Sequence, residues 1–143
     1  MKTFKQYNEA LDTPYKMSMG DFSWGRRYEF DTDDGRKAAI YIEYRNDEEM
    51  AVEFSLDASQ ATTGKGDAFK IFASVKKAIL DTMKAKPHVS TLSFSAAKGS
   101  NMGEKPDGRI RLYKRFAKML GQKLKMKVTE FAKDYSTSFT LER

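Results

Sequence analysis

Three groups of residues in this 143-residue chain have types and spacings that suit chemistry. The first is Thr62-Thr63-Gly64-Lys65-Gly66, which falls between a segment of alternating apolar residues and a segment of helical period. Glycines there let the backbone approach a ligand closely, and the free amides of a helix start face whatever lies in front, so an anion is the natural occupant. Lys65 adds charge to such a cradle; in the plainer alternative the glycines only make a tight strand-to-helix turn. The second group is Glu53 and Asp57, on one side of the alternating segment, where they either solvate its wet side or take up a proton. The third is the stripe Arg111, Lys114, Arg115 and Lys118, flanked by Lys105, Arg109, Lys123, Lys125 and Lys127. Only Asp107 offsets these nine positive charges. The stripe is either a solvated helix face or a surface for an anionic partner, namely nucleic acid, an acidic protein or a nucleotide cofactor. No aromatic interleaving selects nucleic acid among these.

Other chemistries are excluded by composition. With no Cys and one His, the chain supports neither a disulfide, a thiol nucleophile, a catalytic triad nor a zinc site. His88 follows Pro87 at a helix-to-strand junction and reads as an exposed connector. The formal net charge of +6 is laid down unevenly: residues 1–60 carry 8 basic against 13 acidic residues, and residues 61–143 carry 18 against 7. The front is therefore −5 and the back +11, which implies a positive face that gathers anions.

The elements that must position these groups follow from periodicity. Hydrophobic residues make up 40% of the sequence, with ten Phe and seven Tyr, enough for the core of one domain over 1–143. No apolar run approaches the eighteen or so residues of a membrane span, and the first residues lack the apolar centre of a signal peptide, so the expectation is a cytoplasmic protein with no membrane partner. A short helix is expected over 3–11, where Phe4, Tyr7 and Leu11 share a side. Residues 15–24 show no clean period and read as a loop rich in large side chains, which either covers an open end of the core or walls a substrate site. Strands are expected over 27–32 and 36–45, joined at Asp33-Asp34-Gly35, since aspartate followed by glycine tolerates the positive φ of a hairpin turn. A third follows from Met50, with Val52, Phe54 and Leu56 opposite Glu53, Ser55 and Asp57.

Ala68, Phe72, Val75, Ile79 and Met83 then recur at helical spacing, predicting a long amphipathic helix over 67–84. A strand over 89–96, a loop over 98–108 and a helix over 109–120 stopped at Gly121 come next. That helix has Ile110, Tyr113, Phe116, Ala117 and Leu120 as its apolar side. Two strands, over 125–132 and 135–141, close the chain. The fold class is thus α/β of the α+β kind, in the order α-βββ-α-β-α-ββ, with a mixed central sheet flanked by helices.

That order, with the residues at the strand-to-helix turn, resembles the GNAT superfamily, the acetyl-coenzyme A dependent N-acyltransferases. The family loop has a Gln or Arg, two residues, Gly, any residue, then Gly or Ala; Ala61-Thr62-Thr63-Gly64-Lys65-Gly66 keeps the glycines and lacks the first polar residue. Leu112-Tyr113 is similar to the family's Leu-Tyr pair, while its usual Asn and Gly-Phe have no counterpart. The resemblance implies that Gly64, Lys65, Gly66 and Asp67 hold the pyrophosphate of acetyl-CoA. It also implies that Tyr113 protonates the departing thiolate, a role open to a phenol of ordinary pKa about 10; otherwise Tyr113 fills the core. Acetylation of an amine acceptor needs a base, for which Glu53 and Asp57 are the local choices.

A second resemblance is to small bacteriophage-encoded proteins of GNAT-like outline, carried by Leu92-Ser93-Phe94-Ser95-Ala96, by Arg109 to Phe116 and by the opening Met1-Lys2-Thr3-Phe4-Lys5-Gln6-Tyr7. It implies an alternative: a non-enzymatic virion or host-interaction protein, in the host cytoplasm or the virion, that binds nucleic acid or an acidic protein through the basic helix. Fold alone does not decide between the two.

Overall fold

The computed structural model describes residues 14–33, 35–56, 65–97, 106–132 and 136–143, with backbone alone at 56, 65–69, 95–97, 106–112 and 136. The expected helix over 3–11, Asp34, Asp57, Gly64 and residues 98–105 lie outside the described residues. The described chain is α+β: β1 (Ser18–Phe22), β2 (Gly25–Asp31), β3 (Lys37–Tyr44), β4 (Glu49–Leu56), α1 (Lys65–Ala85), β5 (Thr91–Ala97), α2 (Pro106–Leu124), β6 (Lys127–Ala132) and β7 (Ser136–Glu142). The strands form one sheet in the order β1-β2-β3-β4-β5-β7-β6. Every neighbouring pair is antiparallel except β4 with β5, which α1 connects as a crossover.

Register puts the apolar residues of each strand on one face. Tyr28 pairs with Ile40 and Ile40 with Phe54, while Ile42 pairs with Val52, Val52 with Phe94 and Phe94 with Phe139. Both helices pack on this face. Tyr28 Oη and Thr82 Oγ1 of α1 are hydrogen-bonded at 3.1 Å. Phe116 of α2 meets Phe94 edge-on at 5.7 Å and stacks on Phe72 of α1 at 5.1 Å. The core is therefore one layer between the sheet and two helices, with Ile40, Ile42, Met50, Ile79, Leu92 and Leu141 fully buried. Polar residues on the buried side of α1 are satisfied: Ser74 Oγ donates to Lys70 O and accepts from Tyr15 N, and Thr82 Oγ1 donates to Ala78 O. Among the described residues, nothing covers the opposite face of the sheet.

Two expectations change. Residues 18–22 are not loop but an edge strand, so the opening meander has four strands rather than three. Its side chains are exposed or half-buried on both faces, which removes the alternation that betrays a strand. Tyr15, just before it, is buried and stacks on Phe30 at 5.1 Å.

The second helix does not stop at Gly121. Pro106 opens α2, a favoured first position, and the helix runs on to Leu124. Gly121 is a packing residue, since a Cβ there would lie 2.6 Å from Val128 Cγ2. The stop comes at Lys125, whose φ of 56° lets Met126 N donate to Gly121 O at 2.8 Å, the wrap-around bond of a left-handed helix end. A lysine in that position carries no sequence signal.

Candidate functional site

The centre of the sheet supplies an opening. β4 and β5 pair only from Glu49↔Thr91 to Val52↔Phe94. Past that point each keeps its other neighbour, β4 with β3 as far as Ala38↔Leu56 and β5 with β7 as far as Ala97↔Ser136. The two strands therefore part just beyond Val52 and Phe94, at the end where residues 57–64 lead into α1.

Of the residues singled out from sequence, Glu53 and Tyr113 lie beside this parting, on opposite sides of the sheet. Glu53 is the first β4 residue past the last shared pair; its side chain is exposed on the open face, opposite Tyr41 of β3. Tyr113 lies on the helical face, half-buried, edge-on to Phe72 at 5.3 Å and tilted against Phe94 at 6.2 Å. It has both an apolar seat and a remaining exposed part. Lys65, Gly66 and Asp67 form the first turn of α1, whose amides lack partners within the helix. Arg109 and Arg111 lie in the first turns of α2. Further along that helix Lys114, Arg115 and Lys118 are exposed; Lys114 Nζ reaches Glu130 Oε2 at 3.5 Å, and Arg115 and Lys118 have no ion pair among the described residues. His88 is exposed in a turn, and the described residues hold no group of His, Cys, Asp and Glu able to bind a metal.

On the open face, a cavity of about 600 Å³ adjoins the parting. Small residues make its floor: Ala51 pairs with Ser93, and both face outward. Its walls are Trp24, Tyr41, Glu43, Arg45 and Glu53. Trp24 is set in place by Gly25, whose φ of 152° turns the chain back on itself, and by Tyr44 N, which donates to Trp24 O at 2.8 Å. The Trp24 ring stacks on Phe22 at 5.3 Å and leans towards Tyr41 at 6.4 Å. Trp24 fell within a segment read as cover or substrate wall, but Tyr41, Glu43 and Arg45 carried no signal. Their side of β3 looks like any solvated strand face until the register brings Ala51 and Ser93 beside it.

Behind this wall, on the helical face, Tyr44 donates its phenol proton to Asp21 Oδ1 at 3.4 Å, and Asp21 Oδ2 also meets Arg26 Nη2 at 3.5 Å. Burial, followed by the charge of Asp21, pushes the Tyr44 phenol above its ordinary pKa. No helix among the described residues is long and apolar enough to cross a membrane. Neither family models, curated proteins nor solved structures give a match to this chain.

Proposed function

We propose that this chain is an acetyl-CoA dependent N-acyltransferase, and the observation that carries the reading is the parting of β4 from β5 with Glu53 on one side of the sheet and Tyr113 on the other. The first turn of α1 suits a pyrophosphate, because the amides of Lys65, Gly66 and Asp67, which have no partners within the helix, coincide with the positive end of the helix dipole. When bound there, acetyl-CoA supplies an activated acetyl thioester. The gap between the strands admits a slender arm from the helical side, and the free backbone edge of β4 beyond Val52 offers polar groups to a developing oxyanion.

Proton handling is divided between the two faces. A carboxylate oxygen of Glu53 takes the proton that the amine gives up as its nitrogen bonds to the acyl carbon. Tyr113 Oη returns a proton to the sulfur as the carbon–sulfur bond breaks, and the phenolate recovers one from solvent. Both groups stand beside the point where Val52 and Phe94 last pair.

Calorimetry with acetyl-CoA tests this directly. We expect saturable binding that Gly66→Val weakens at least tenfold. Tyr113→Phe should leave binding intact and lower the turnover of an amine by about 10²-fold or more, the usual scale of a general acid. Absence of binding at millimolar acetyl-CoA would refute the proposal. A second reading draws on Arg115 and Lys118, exposed and without ion pairs among the described residues: a non-enzymatic protein holding nucleic acid or an acidic protein along α2. Salt-sensitive retention on DNA, together with no heat from acetyl-CoA, would favour it.

A further inference from the structure

We infer that the cavity on the open sheet face is a binding site for an alkylammonium group, with Trp24 and Tyr41 as its aromatic wall and Glu43 and Glu53 as its counter-charges. Four carboxylates and two guanidinium groups lie on this part of the sheet. Arg27 is paired with Glu29 at 2.9 Å and Arg45 with Glu49 at 3.8 Å. Glu43 and Glu53 have no ion pair or side-chain hydrogen bond among the described residues, and both line the cavity. Register sets them diagonally across the β3–β4 ladder, Glu43 opposite Ala51 and Glu53 opposite Tyr41, a separation of roughly 7–8 Å between their backbones. An ammonium group seated over Ala51 would lie within reach of both.

The aromatic wall points the same way. Phe22 is 48% and Trp24 43% exposed, values high enough to need a reason when two rings stack beside a cavity. A ring face attracts a cation through its quadrupole, and most strongly when the ring is indole. The fold itself supplies a precedent, since the Arg27 guanidinium already lies 5.5 Å from the centre of the Tyr41 ring. An anion or a nucleic-acid strand would meet two unmatched carboxylates here, so the aromatic rings do not mark a base-stacking surface. As the seat of the acceptor amine this site rests on the acyl-transfer reading; as a site for organic cations it does not.

Trp24 is the only tryptophan of the chain, so its emission reports on the cavity alone. Choline and butylamine should each give a saturable change in emission at millimolar concentration, and 3,3-dimethylbutan-1-ol, the uncharged isostere of choline, should bind at least tenfold more weakly. Glu43→Gln, at an exposed position, should weaken choline binding at least fivefold, and Ser93→Leu, which fills the floor, should abolish it. Equal binding of the uncharged isostere, no saturable change with either cation, or choline binding unaffected by Glu43→Gln would overturn the assignment. Butylamine in the presence of acetyl-CoA separates the two proposals: saturable binding without acetylation leaves the cation site standing and counts against acyl transfer, whereas acetylation by a protein whose emission no cation alters does the reverse.

Discussion

Gly25→Ala should be among the most costly single changes in the molecule, and the structure says by how much. A Cβ at position 25 would lie 1.9 Å from Ile42 O, 2.9 Å from Ile42 C and 3.0 Å from Glu43 Cα, all backbone atoms of a central strand. Because real Cβ atoms do not approach closer than 3.0 Å, β2 and β3 must separate by about 1 Å at this point. The bond from Tyr44 N to Trp24 O, now 2.8 Å, flanks the Gly25↔Glu43 pair on one side and would stretch beyond hydrogen-bonding range, as would the ladder bond to Ile42 O in the neighbouring Arg26↔Ile42 pair on the other. Two hydrogen bonds at about 1 kcal/mol each, plus about 2 kcal/mol for an L-residue held at this φ, give a loss of about 4 kcal/mol. For a domain of this size that is a fall in Tm of roughly 10 °C. Urea denaturation followed by far-ultraviolet circular dichroism and by Trp24 emission measures both the loss and the displacement of the ring. Gly35→Ala is the control: φ is 82°, but nothing lies within 4 Å of the added atom, so the cost is only the backbone term of about 1–2 kcal/mol. If Gly25→Ala proves no more destabilising than Gly35→Ala, the collision argument is wrong.

Phe94→Ala should cost about 3–5 kcal/mol, since the ring is buried among Tyr113, Phe116 and Phe139 at 5.5–6.2 Å, and the loss can be read from the denaturation midpoint. Gly121→Ala gains up to about 1 kcal/mol of helix propensity, but the new methyl meets Val128 Cγ2 at 2.6 Å and Met126 O at 3.0 Å, so we expect a net loss. Adding Val128→Ala should recover part of that loss in a double-mutant cycle. Tyr44 sets an alkaline limit. Its phenol is raised above 10.0 by burial and then by Asp21, so the folded state holds the proton more tightly than the unfolded chain does. That contribution is complete below the unfolded pKa and fades as pH climbs through the folded value; Tyr44→Phe should flatten this part of the stability profile measured by urea titration at increasing pH.

The sequence made the interior plain and the site only half plain. Val52 and Phe54 facing away from Glu53, and Thr137, Phe139 and Leu141 recurring at every second position, all emerge on the buried side where their spacing put them. Of the expected hairpin turn, Gly35 has the positive φ that its chemistry allows, 82°, and Gly35 N donates to Thr32 O at 3.0 Å. What periodicity does not encode is which segments lie beside one another across long separations. Nothing in Ala51, Ser93 or Tyr41 alone suggests a cavity; it exists because β3, β4 and β5 are neighbours in one register. In the same way Glu53 and Tyr113 are separately visible, yet their placement on opposite faces at one parting depends on a parallel pairing that only the folded sheet reveals.

The position of β5 bears on how the chain is made as well as on what it does. One of its partners, β4, precedes it across the whole of α1, and the other, β7, follows only after α2 and β6. On the ribosome, then, a nascent chain that has emitted Leu92 and Phe94 must wait for residues 136–142 before the second side of that strand is occupied. Exposed strand edges of this kind invite association between unfinished chains. Ser93, between the apolar Leu92 and Phe94, keeps one face of the waiting strand compatible with water for the interval.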